Sequence, residues 1–94
     1  MTIAEIKAKH PNYFDRATMR FFRSRVESKA YNGPGGCYFI TSEQFVGSNG
    51  IADPRKYSVR KVSEDGGGIN TVRDFNSILS IEDARAIARK LSRG

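Results

Sequence analysis

Residues 31 to 41 read Tyr31-Asn32-Gly33-Pro34-Gly35-Gly36-Cys37-Tyr38-Phe39-Ile40-Thr41. The fold turns on whether their glycines serve a phosphate or a chain reversal. A phosphate loop runs from a strand into a helix and places Lys-Ser/Thr after its last glycine. Here no lysine follows Gly36 and the chain enters an alternating run, with no helix start to aim amides at an anion. Upstream, Val26, Ser28 and Ala30 alternate with Glu27, Lys29 and Tyr31; downstream, Cys37, Phe39 and Thr41 alternate with Tyr38 and Ile40. A period of two marks strands. Residues 32–36 are therefore predicted to be a five-residue hairpin connection, with glycines at positive φ and Pro34 setting one dihedral.

Working outward, Lys56 to Val62 alternates as a third strand and Ile69 to Phe75 as a fourth, with Glu64-Asp65-Gly66-Gly67-Gly68 as the turn between them. Residues 42–55 are polar and rich in breakers, and read as a long exposed loop. Ser80 opens a capping box with Asp83, and Ile81, Ala84, Ile87, Ala88 and Leu91 follow at helical spacing, which predicts an amphipathic helix over 81–92. Asp15 is a suitable N-cap for a helix over 16–24. Thr2 caps either a short helix over 3–9, ended by Pro11, or a loosely held arm of residues 1–12. The fold class is α+β: a small two-layer domain whose antiparallel sheet of about four strands, in two hairpins, packs against a C-terminal helix, with a short N-terminal helix. On that scheme one sheet face is open, and Tyr31, Tyr38 and Ile40 upon it would form a dimer or partner surface.

At 94 residues the chain has material for one core, so residues 1–94 form a single domain. No apolar run approaches the ~20 residues of a membrane span, and the first residues lack a signal-peptide core. With a lone cysteine, Cys37, these features predict a soluble protein of a reducing cytoplasm, without membrane contact, as monomer or homodimer.

The residues for catalysis are sparse. The single histidine, His10, stands beside Pro11 with nothing to orient it, and Cys37 sits in an apolar strand where an inert thiol is expected. Structural zinc needs about four Cys or His ligands. The acidic pairs Glu64-Asp65 and Glu82-Asp83 have local reasons in a turn and a helix start. The expectation is a protein that is not an enzyme, with no cofactor and no metal.

Sixteen Lys and Arg face ten Asp and Glu, a formal charge of +6. Such a field favours an anionic partner. Arg16, Arg20, Arg23 and Arg25 are interleaved with aromatics, and Lys29, Lys56, Arg60, Lys61 and Arg73 lie on the hairpins. These nine residues are the expected contact with a partner or with nucleic acid, since arginines neutralise phosphates or meet carboxylates bidentately. Arg85, Arg89 and Arg93 form a further stripe, for which a solvated helix face suffices.

Two resemblances follow from these residues. Tyr57-Ser58-Val59-Arg60, a glycine-rich turn, Phe75 and the Ala84, Ala88, Leu91 helix resemble the arm-type DNA-binding domains of phage integrases, which lay a three-stranded sheet in the major groove. Over most of residues 13–90, Thr18-Met19-Arg20-Phe21-Phe22-Arg23-Ser24-Arg25-Val26, Gly33-Pro34-Gly35-Gly36, Tyr38 to Gln44 and Tyr57 to Arg60 together are similar to a family of small phage and mobile-element proteins. That second resemblance implies a phage-type binding protein of the anti-CRISPR kind. It would inhibit a host defence nucleoprotein, such as a CRISPR effector, by steric occlusion of an acidic protein surface or a nucleoprotein face. The alternative is a small DNA-binding module of a mobile element.

Overall fold

A computed structural model describes residues 1–11, 14, 19, 23–63, 68–73 and 77–94. In chain order it contains helix α1 (Ile3–Lys9), strands β1 (Arg25–Val26), β2 (Tyr31–Gly33), β3 (Gly36–Glu43), β4 (Lys56–Val62) and β5 (Ile69–Val72), and helix α2 (Ile81–Arg93). All pairings are antiparallel. β3 has β4 on one side and both β1 and β2 on the other, and β5 adds to β4. The α+β class, the antiparallel sheet and the two flanking helices are as the sequence predicts. Most of the predicted 16–24 helix, with its Asp15 cap, and the 64–67 turn lie outside the described residues; the helix does not reach its predicted end, because Arg23 has φ 49 and Ser24 is not helical.

The predicted strand over 25–31 is broken in two. Val26 stands opposite Thr41 and Tyr31 opposite Tyr38, so residues 27–30 face only Phe39 and Ile40. Two residues in excess on one strand cannot stay in the ladder, and they bulge out. The glycine turn is shorter than predicted: Gly33 pairs with Gly36, leaving Pro34-Gly35 as a two-residue loop. Its glycines answer to a close approach. The Gly35 amide donates to the Ser92 carbonyl at 3.0 Å, and a Cβ on Gly33 or Gly35 would fall 2.1 Å from Ser92 O or 1.9 Å from Leu91 O. The turn thus abuts the last turn of α2 and satisfies one of the carbonyls that a helix end leaves orphaned.

α2 covers one sheet face. Ala84 and Ala88, both fully buried, let the helix lie close over Tyr31, Tyr38, Ile40 and Val59, with Ile78 beside them. Ser80 Oγ accepts from the Asp83 amide at 3.1 Å, the serine half of the predicted cap. Tyr31, Tyr38 and Ile40 are therefore core and not an open partner surface, because the helix takes their side of the sheet. The opposite face is also covered. Ile3 and Ile6 of α1 join Phe39 and Val62, with Phe14, Val26 and Ile69 around them. The first residues thus form a packed helix. Thr2 and Glu5 make a reciprocal capping box, and the Met1 amine donates to Asn32 Oδ1 at 2.9 Å.

The 42–55 segment is not a loop throughout. β3 runs on to Glu43, and Ser42 and Glu43 are buried. Residues 45–53 then form a finger closed by the Val46–Ala52 bridge and by the Asp53 amide donating to Phe45 O at 2.8 Å. Its Phe45, Val46 and Ile51 are exposed. Polar composition concealed this pairing, since neither the bridge nor the glycine-rich tip needs an apolar run. Among the described residues no helix is long and apolar enough to cross a membrane.

Candidate anion-binding site

The broken edge strand and the chain entering β4 bring three arginines together. Arg25 is exposed on β1, and Arg23 is exposed just before it with φ 49. Arg55 reaches across from the segment before β4, its Nη1 donating to Arg23 O at 2.9 Å and to Ser42 Oγ at 3.0 Å. These bonds hold the Arg55 guanidinium in one place. Burial, together with the nearby Arg25 and Arg23, holds the Arg55 pKa below its ordinary value, against the pull of Tyr57 and Glu43. An arginine keeps its proton through such a shift, so the cluster remains cationic.

A cavity of about 400 Å³ is lined by Met19, Arg23, Ser24, Arg25, Gln44 and Arg55. A second, of about 260 Å³, shares Arg25 and Arg55 with it and continues along Ile40, Thr41, Tyr57 and Ile81. Glu27 lines this second cavity. Its Oε1 accepts from Arg85 Nε of α2 at 2.7 Å, while its Oε2 is buried without a hydrogen-bond partner among the described residues. The hydrogen bond from Arg85, reinforced by charge, raises the Arg85 pKa. The bulge explains the placement of Glu27, which leaves the ladder just after β1 although its amide still donates to Ile40 O at 2.9 Å. Three guanidinium groups beside a cavity supply fork-shaped donors suited to phosphate or carboxylate oxygens.

Of the nine predicted contact residues, Arg16 and Arg20 lie outside the described residues, and only Arg23 and Arg25 come together. Lys29 is exposed with its ammonium 4.9 Å from the Tyr31 ring, and Lys61 is half-buried, 5.8 Å from the Tyr38 ring. Lys56 is exposed opposite Glu43. Arg73 follows β5 at the far edge of the sheet from Arg25, so it joins no common surface with it. Arg60 requires a correction. It is 8% exposed, its Nε donates to Thr41 Oγ1 at 2.9 Å, its Nη1 bonds Thr71 Oγ1, and its Nη2 lies 3.7 Å from Glu43 Oε1. The residue is an interior cation that ties β3, β4 and β5 together and is no contact for a partner. Alternation placed it on a strand, but the sequence did not show that its face would be covered.

In sequence Arg55 falls in a polar, breaker-rich stretch that reads as a loop, away from the basic clusters. The one available signal was its place one residue before a strong strand. The Cys37 thiol is half-buried, and burial pushes its pKa up, away from the reactive thiolate. Among the described residues no three His, Cys, Asp or Glu side chains group as metal ligands would.

Residues 2–89 match the model described as "Family of unknown function (DUF7447)". No curated protein and no solved structure matches the chain.

Proposed function

Because the chain belongs to the DUF7447 family, whose description assigns no activity, we propose from the site itself that it is a binding protein without enzymatic activity. It docks on a nucleoprotein of a bacterial host and acts by occupying the nucleic-acid-facing surface, as a phage-type inhibitor of a defence effector would. The observation that carries this reading is the Arg23, Arg25 and Arg55 cluster around its cavity. Arginines hold their protons and so bind anions without moving protons, which suits recognition and not acid–base chemistry. Neither Arg23 nor Arg25 has a carboxylate partner among the described residues. The net charge of +6 adds long-range attraction to a polyanion.

A direct DNA-binding role is the second reading, and the same arginines favour it. A sheet laid in the major groove, as in integrase arm domains, is a weaker form of it, because α2 and α1 cover opposite faces of β3. The test is a salt series of binding to duplex and single-stranded DNA by fluorescence anisotropy, beside a pull-down from nuclease-treated bacterial lysate. DNA affinity that falls steeply with salt, with an empty pull-down, selects the DNA module. A retained defence complex with negligible DNA binding selects the inhibitor. Replacing Arg23 and Arg25 together by Ala should abolish either with little change in melting temperature; unaltered binding by the folded double variant would remove this surface from consideration.

A further inference from the structure

Resting on the reading of the arginine cluster as an anion site, we propose that the two joined cavities hold one unpaired nucleotide, with its phosphate among Arg23, Arg25 and Arg55 and its base in the compartment of Ile40, Tyr57 and Ile81, where Glu27 favours a base bearing an exocyclic amino group. The two cavities divide by chemistry. The larger is ringed by guanidinium groups, and the smaller is walled by Val26, Ile40, Tyr57 and Ile81. Its 260 Å³ is many times the roughly 10–15 Å³ that a single water needs on the same measure, room for a ring and not only for solvent. A phosphate alone leaves that apolar compartment unused, whereas a nucleotide fills both. Arg25 and Arg55 line both cavities, and a guanidinium serves phosphate oxygens through its edge and a base through its flat face.

Glu27 supplies the selectivity. A carboxylate only accepts hydrogen bonds, and with Oε1 engaged by Arg85 the remaining oxygen lacks a donor among the described residues. A buried acceptor without a donor is costly, and a ligand that brings one relieves the cost. Glu27 lines the cavity and its terminal torsion is soft; turning the carboxylate toward a ligand moves both oxygens together, and the remaining guanidinium donors of Arg85 keep one of them in reach. Cytosine offers an amino group at the edge where uracil and thymine offer a carbonyl, which a carboxylate repels. A duplex keeps those edges paired, so the ligand is a free nucleotide or a nucleotide of a single strand.

The test is calorimetric titration of the full chain, at low salt, with inorganic phosphate, cytidine monophosphate and uridine monophosphate. The expected order is cytidine monophosphate tightest, by about fivefold or more over the uridine compound, the lower end of base-edge discrimination, with phosphate weakest. Ile81→Phe, which intrudes on the base compartment, should bring cytidine monophosphate down to the level of phosphate while phosphate binding is kept, and that retained binding reports a folded protein. Glu27→Gln, whose amide also donates, should bring the cytidine-to-uridine ratio close to one. Loss of the Arg85 pair alone would lower the melting temperature without changing the ratio. Oligo(dC) binding more tightly than the mononucleotide assigns the ligand to a strand, and equal affinity per nucleotide assigns it to the free pool; either supports the proposal. Equal affinity for phosphate and cytidine monophosphate overturns it and leaves the anion site standing. Failure of all three to bind overturns both.

Discussion

A methyl group at Gly35 would meet Leu91 O at 1.9 Å and the Gly94 amide at 2.8 Å, so the turn and the end of α2 would have to part. Gly35→Ala is expected to cost about 3 kcal/mol, the upper end for overpacking, read from urea unfolding. Gly50 is the informative comparison, since nothing lies within 4 Å of its Cβ position but its φ is +79. Gly50→Ala should cost only about 1 kcal/mol, the strain of a left-handed backbone. Gly35 has no positive φ of its own, so a loss no larger than at Gly50 would show that the turn and the end of α2 part at little cost. Arg60 belongs to the same scale. Removing one partner of a buried ion pair leaves a charge uncompensated, so Arg60→Ala should destabilise by about 3 kcal/mol or more, whereas Lys56→Ala at the exposed start of the same strand should change stability by no more than about 0.5 kcal/mol.

Elements differ in how openly the sequence declares them. β4 and α2 were legible because a clean period, of two in Lys56 to Val62 and of 3.6 from Ile81 to Leu91, coincides with real burial. β3 was legible at its start but not at its end, since Ser42 and Glu43 are polar residues buried by what lies over them, which no local pattern records. The two-residue excess that breaks the edge strand into β1 and β2 is a property of register across two segments and is invisible within either one. The candidate site inherits that difficulty: Arg23 and Arg25 could be read as a basic cluster, while Arg55 joins them only through the fold. α1 makes a pH prediction. Hydrogen bonds from the Thr2 amide and hydroxyl hold the Glu5 pKa below its ordinary 4.5. A depressed folded-state value means that the contribution is full above that ordinary value and is lost as pH falls through the folded one. The protection factor of the Ile6 amide, with the intrinsic pH dependence of exchange divided out, should therefore fall on acidification below about pH 4.5, and Glu5→Gln, which caps without titrating, should flatten that response.

On the scale of the molecule, a body of 45 × 27 × 19 Å has its sheet enclosed between a long helix and a short one. The long one carries more. Without α2, the side chains of Tyr31, Tyr38, Ile40 and Val59 return to water at roughly 1.5–3 kcal/mol each, together on the scale of the whole stability of a small domain. A chain truncated after Leu79 should accordingly lack a cooperative thermal transition by circular dichroism. If it melts cooperatively, the sheet and α1 form a sufficient core. The surface left by this enclosure is its edges, and the cavities open at the β1 edge, where the ladder is interrupted between β1 and β2.

Arg23 adopts φ 49, a conformation that glycine or asparagine enters more cheaply than arginine. Under drift governed by folding alone, that position should wander toward those two residues, since nothing in its backbone rewards a long basic side chain. A lineage that keeps arginine there is selected for what the guanidinium meets, so deep mutational sampling scored once for abundance and once for partner engagement should give opposite preferences at this codon.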